Sequence, residues 1–70
     1  MVPFAARLKE SRKRKRLTQK EVAEYLQIAP HSYQNYEIGE RRPSFECLVA
    51  IADYFDVTTD YLLGRTDVPK

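Results

Sequence analysis

Seventy residues contain a single cysteine, Cys47. That excludes an internal disulfide and any metal site built from several cysteines, and it suits a reducing cytoplasm. There is one histidine, His31, and no glycine-rich phosphate loop. Without a nucleophile–base arrangement or a nucleotide cradle, the chain is not expected to be an enzyme, and no cofactor or metal is implied. No stretch approaches the ~20 apolar residues of a membrane span, and the opening MVPFAARLKE has no apolar core of leader length. The chain therefore reads as soluble, cytoplasmic and without a membrane partner. Strand-like alternation, internal repeats and low-complexity segments are also missing. One small domain remains, near the size at which a single core is only marginally sufficient.

Charge is present but unevenly placed. The net value of +2 conceals eight basic residues between positions 7 and 20, against only Glu10. Residues 21 to 70 carry four cations against nine acids. A polyanion would meet one positive face on a nearly neutral molecule. A solvated helix end, with cations placed favourably against the helix dipole, explains the same run.

Apolar spacing divides the chain into helices. Phe4 and Leu8 form an i, i+4 pair on a first helix from about Val2 to Lys15, and the same stripe turns Arg12 inward. An inward arginine needs a buried partner, or a stem that packs while its head reaches water. Leu17 stands as a staple before Thr18, and Thr18 with Glu21 makes a capping box, so a second helix starts at Gln19. Val22, Ala23 and Leu26 give it one apolar face. Pro30 suits the first position of a third helix, Tyr33 and Tyr36 its inward face, and Gly39 its stop. Only Gln27, Ile28 and Ala29 separate the two. Such a pair is a helix-turn-helix, whose second helix is free to enter a DNA major groove.

After a loop from Glu40 to Pro43, Ser44 caps a fourth helix. Its expected core stripe is Phe45, Leu48, Ile51, Ala52 and Phe55. Asp56 and Val57 make a turn, and Thr58 caps a last helical turn that buries Tyr61, Leu62 and Leu63. Gly64 ends it. The expected architecture is all-α, a compact five-helix globule. Residues 1–66 form the helix-turn-helix domain, and 67–70 read as a frayed C-terminal tail.

These pieces, in this order, resemble the Cro/C1-type, xenobiotic-response-element class of helix-turn-helix regulators, the group containing lambdoid phage repressors. The resemblance is carried by Leu17 to Tyr36, by Tyr36-Glu37 with Gly39, and by Arg42-Pro43-Ser44. The run Ile51-Ala52-Asp53-Tyr54-Phe55 leading to Asp60-Tyr61-Leu62-Leu63-Gly64 completes it. It implies a lambda-repressor-like domain in which Gln19 bonds a DNA phosphate and braces the recognition helix, with Lys20 as a second phosphate contact. The family's base-facing positions fall on Ala29, Pro30, His31, Ser32 and Asn35, with Gln34 beside them. Arg41 and Arg42 match loop cations that lie along the backbone. Arg12 and Glu37 match a structural ion pair. The family often has glycine where this chain has Gln27. A positive φ there costs a non-glycine about 1 kcal/mol, and a different turn geometry is the alternative.

The same side chains suit DNA on chemical grounds. Asn35 and Gln34 present the donor and acceptor that match adenine's N6 and N7, and Ala29 and Pro30 offer apolar surface to a thymine methyl. His31 and Ser32 donate or accept, and arginines suit phosphate. Ordinary solvent exposure is the competing reading for His31, for Gln34 and Asn35, of which Asn35 has the better-placed face, and for the run Lys13 to Arg16. Two functions follow: a DNA-binding transcriptional regulator, read as a dimeric repressor on a palindromic operator, or an antitoxin-type protein-interaction module. A toxin or anti-repressor is a further candidate partner. Cys47, Val49, Ala50 and Tyr54 give the fourth helix more apolar surface than its core stripe needs. With the fifth helix and Val68 they are the candidate homodimer interface.

Overall fold

Local chemistry sets both ends of most helices in this chain. The computed structural model describes residues 2–70. They form α1 (Phe4–Arg14), α2 (Gln19–Leu26), α3 (Pro30–Glu37), α4 (Phe45–Phe55) and α5 (Thr59–Leu62). Thr18 Oγ1 accepts from the Glu21 N–H at 3.0 Å while Glu21 Oε1 accepts from the Thr18 N–H at 2.8 Å, closing the capping box. Ser44 and Thr58 accept from the backbone N–H groups of Cys47 and Tyr61 in the same way. Pro30 takes the first position of α3, where it has no N–H to leave unpaired.

The five C-terminal ends are alike. Arg16, Gln27, Gly39, Asp56 and Gly64 all have positive φ. In each case the next residue's N–H reaches the carbonyl five positions back: Leu17 to Arg12, Ile28 to Ala23, Glu40 to Asn35, Val57 to Ala52 and Arg65 to Asp60. This is the Schellman ending. In three of them the residue after the left-handed one is apolar (Leu17, Ile28, Val57) and packs on the core. The ending therefore stops the helix and pins the outgoing chain. Glycine is required most at Gly64, where an added Cβ would lie 2.4 Å from Pro3 Cδ.

The core is Phe4, Leu8, Val22, Ala23, Tyr33, Ile51, Ala52, Phe55, Tyr61 and Leu62. α3 packs on α1 and α2, while α5 bridges α1 and α4. Tyr33 is fully buried and meets half-buried Tyr36 edge to face at 6.3 Å. The α4 stripe requires one correction. Ile51, Ala52 and Phe55 are buried and Leu48 half-buried, but Phe45 is 87% exposed. Helical side chains lean toward the N-terminus, so the first residue of α4 lies over the preceding loop, past the packed length.

Residues 65–70, read above in part as a frayed tail, contain no helix. They run back along α1 and the α4–α5 turn. Arg7 Nη1 donates to the carbonyls of Tyr61 and Thr66 at 2.7 and 2.6 Å, Nη2 donates to Asp67, and the guanidinium sits 4.4 Å from the Tyr61 ring centre. The Thr58 N–H donates to the Pro69 carbonyl at 2.8 Å, and Lys70 pairs with Asp56. Among the described residues no helix is long and apolar enough to cross a membrane.

Candidate nucleic-acid interface

The interface is built on the turn between α2 and α3. Gln27 takes the left-handed conformation, φ 59° and ψ 41°, which settles the alternative left open by its side chain. The turn keeps the geometry that glycine would favour and bears the strain. Ile28 then packs inward, and Ala29 is extended as the N-cap of α3 with no side-chain cap. Ala29 offers no side-chain acceptor, so the first turn of α3 relies on its own backbone, with the Ser32 and Tyr33 N–H groups donating to the Ala29 carbonyl.

The other end of α3 is anchored electrostatically. Glu37, with its side chain 2% exposed, accepts from Arg12 Nε at 2.6 Å, Arg12 Nη2 at 3.1 Å and Gln19 Nε2 at 3.0 Å. Arg12 Nη1 also donates to the Leu17 carbonyl at 2.9 Å. Burial pushes the Glu37 carboxyl up, but the hydrogen bonds it accepts, led by those from Arg12, outweigh this and leave it below the ordinary carboxylate range. The same bonds to Glu37, opposed by burial, hold the Arg12 guanidinium above its usual value. Burial, reinforced by the neighbouring carboxylate, raises the Tyr33 phenol, whose oxygen is buried without a hydrogen-bond partner. One carboxylate thus ties α1, the start of α2 and the end of α3 together. Gln19, nominated for a DNA phosphate, thereby links the start of α2 to the end of α3.

α3 and the loop after it enclose a shallow polar depression of about 220 Å³, lined by His31, Ser32, Asn35, Tyr36, Arg41 and Arg42. The Asn35 carbonyl accepts from the N–H groups of both Glu40 and Arg41, at 2.9 and 3.2 Å. This fixes the loop cations to the helix that carries Asn35. Hydrogen-bonding groups suited to base edges and guanidinium groups suited to phosphate therefore share one surface.

The helix-turn-helix family model HTH_3 matches residues 8–62. This chain belongs to the Cro/C1-type helix-turn-helix family. It is 51% identical over 59 residues to the HTH-type transcriptional regulator AnsR of Bacillus subtilis, covering 84% of this chain and 51% of that protein. It is 42% identical over 59 residues to the cryptic phage CTXphi transcriptional repressor RstR of Vibrio cholerae, covering 84% and 53%. A transcriptional regulator from Listeria innocua, known from its crystal structure, superposes with a TM-score of 0.86 at 31% identity over 91% of this chain and 60% of that one. The chain spans about half the length of the curated relatives it matches. All three bear the name of a transcriptional regulator or repressor.

Within this Cro/C1-type domain the nominated residues fall into groups. His31, Ser32 and Asn35 line the depression with Arg41 and Arg42. Ala29, Pro30 and Gln34 are exposed outside it, as is Lys20 near the start of α2. Arg12 and Glu37 form the ion pair inside the scaffold. Two members of the basic run are committed internally, Arg7 to the C-terminal segment and Arg12 to Glu37, while Arg14 pairs with Glu10 on the surface. Lys9, Lys13, Lys15, Arg16 and Lys20 remain as exposed cations. Cys47 and Ala50 line an apolar groove of about 560 Å³ with Tyr25, Leu26, Ile28 and Tyr36. Tyr54 stacks on Tyr25 with centroids 3.8 Å apart, and Val49 faces outward. Burial pushes the Cys47 thiol above its ordinary pKa.

Three features escaped sequence reasoning. Arg7 looked like one more surface cation, and nothing local signalled its ties to the C-terminal segment. Phe45 fitted a core stripe. Ile38, 61% exposed, follows Gln34 by four residues and His31 by seven, a spacing visible in the sequence.

Proposed function

We propose that this chain is a sequence-specific, double-stranded-DNA-binding transcriptional repressor that places α3 in the major groove and binds a palindromic operator as a dimer. The observation that carries this reading is the polar depression joining Asn35, His31 and Ser32 to Arg41 and Arg42. Base edges are read by the first group, with Gln34, Ala29 and Pro30 alongside. Phosphates are held by the arginines, Lys20 and Gln19. An eight-residue helix is about 12 Å long, a match to the width of the major groove.

Dimerisation follows from reach, since one such helix touches few base pairs and a second copy doubles the site. The outward apolar side of α4, where exposed Phe45 and Val49 stand one turn apart beside the groove of Cys47 and Ala50, supports this. Tyr54, α5 and exposed Val68 complete the nominated surface. Repression is supported by the relative named a repressor, and the site of action is the cytoplasm, on the bacterial or phage DNA.

Selection from a random pool of duplexes tests the proposal. An enriched inverted repeat with half-sites about one helical turn apart is the expected result. Binding that depends on salt alone, with no enriched sequence, contradicts it and makes a protein partner, of the antitoxin type, the leading reading.

A further inference from the structure

Between Ala29 and Ile38 there is no lysine or arginine, and the one formal charge, on Glu37, is buried against Arg12. The commonest specific contact to DNA, a cation spanning O6 and N7 of guanine, is therefore missing from this helix. His31 is left to address a guanine with a single bond where an arginine would make two. What α3 turns outward instead is an amide set, with small apolar surface at Ala29 and Pro30 where it begins and one large exposed apolar side chain, Ile38, where it ends. Ile38, the C-cap of α3, follows Gln34 by four residues and His31 by seven, and it is exposed where Tyr33 and Glu37 are buried. It is 61% exposed, and the exposed residues one and two turns before it, Gln34 and His31, are polar. A phosphate has nothing to gain from a butyl group. In the major groove its complement is the thymine C5-methyl, just as the Asn and Gln amides complement adenine N6 and N7.

We propose that Ile38 is a specificity-determining residue that seats on a thymine methyl and, with Asn35 on adenine, makes the core of each half-site A·T. This rests on the reading of α3 as the groove helix and extends it to a base identity.

The test uses the full chain and the operator recovered by selection. Core thymines are replaced one at a time by uracil, which removes the methyl and keeps every base-pairing hydrogen bond. At one position the wild-type chain should bind the uracil duplex about fourfold more weakly, the equivalent of ~0.8 kcal/mol for one buried carbon. Ile38→Ala should bind both duplexes equally and, because Ile38 is exposed, melt at the wild-type temperature. The assignment is overturned if wild type ignores uracil at every core position. It is also overturned if Ile38→Ala keeps the thymine preference, or if the enriched core is G·C. Those three results leave the groove reading standing. A pool from which nothing is enriched removes both.

Discussion

Replacing Glu37 by glutamine tests the scaffold under the interface. The side chain keeps its shape and loses its charge, so Arg12, only 12% exposed in its side chain, faces a neutral amide. Three hydrogen bonds of 2.6, 3.1 and 3.0 Å to a carboxylate become weaker bonds to an amide that has one acceptor oxygen. Breaking a buried ion pair from one side costs about 3–5 kcal/mol. Glutamine retains part of the bonding, so a loss of about 3 kcal/mol is expected from a domain of this size holding roughly 4–10 kcal/mol. The melting temperature should fall by about 12–24 °C. The pH dependence has a defined sign. The folded pKa of Glu37 lies below its unfolded value of about 4.3, so its stabilisation is complete above that value and lost as pH falls through the folded pKa. Urea titrations of wild type across pH 2.5–6 should show that acid loss, and Glu37→Gln should show much less of it. The double change Arg12→Met with Glu37→Leu should be milder than either single one. A Glu37→Gln loss below about 0.5 kcal/mol, with an unchanged acid slope, would refute the reasoning.

Other expectations follow from single positions. Gln27→Gly should stabilise by about 1 kcal/mol in urea titration, because glycine relieves the left-handed strain at φ 59°. Gly39→Ala should cost about 1–2 kcal/mol from backbone strain alone, as its Cβ would meet nothing within 4 Å. Gly64→Ala should cost more than Gly39→Ala by thermal melting, since its Cβ would also strike Pro3 Cδ and Cγ at 2.4 and 2.8 Å. Val49→Glu should lower the sedimenting mass from dimer to monomer without lowering the melting temperature, and an unchanged mass would remove Val49 from the interface.

Most of the fold was legible because its signals are local. Thr18 with Glu21, Ser44, Thr58, Pro30 and the two glycines act within one turn, so composition and spacing alone locate the helix ends. Glycine marked two of the five Schellman endings, and the resemblance raised a third, at Gln27, as one of two alternatives. Arg16, Gln27 and Asp56 adopt the same conformation against their own preference, held by the packing of the apolar residue that follows at each. Tertiary context decided the rest. Arg7 needed a chain segment about 60 residues away to reveal its role, and Phe45 needed the end of the packed layer. The candidate interface was nominated as a set of residue types. The Asn35 carbonyl joins these residues into one surface, holding Arg41 to α3 through backbone bonds that carry no side-chain signature.

Salt titration of operator binding by wild type, Arg42→Ala and Asn35→Ala tests the central claim most directly. Arg42→Ala should weaken every sequence alike and reduce the slope of log affinity against log salt by about 1. Asn35→Ala should leave that slope intact, cost about 1–3 kcal/mol on the operator and relax preference at one base pair. Equal losses from both variants on operator and random DNA would contradict it, because the two residues would then be contributing charge and stability alone.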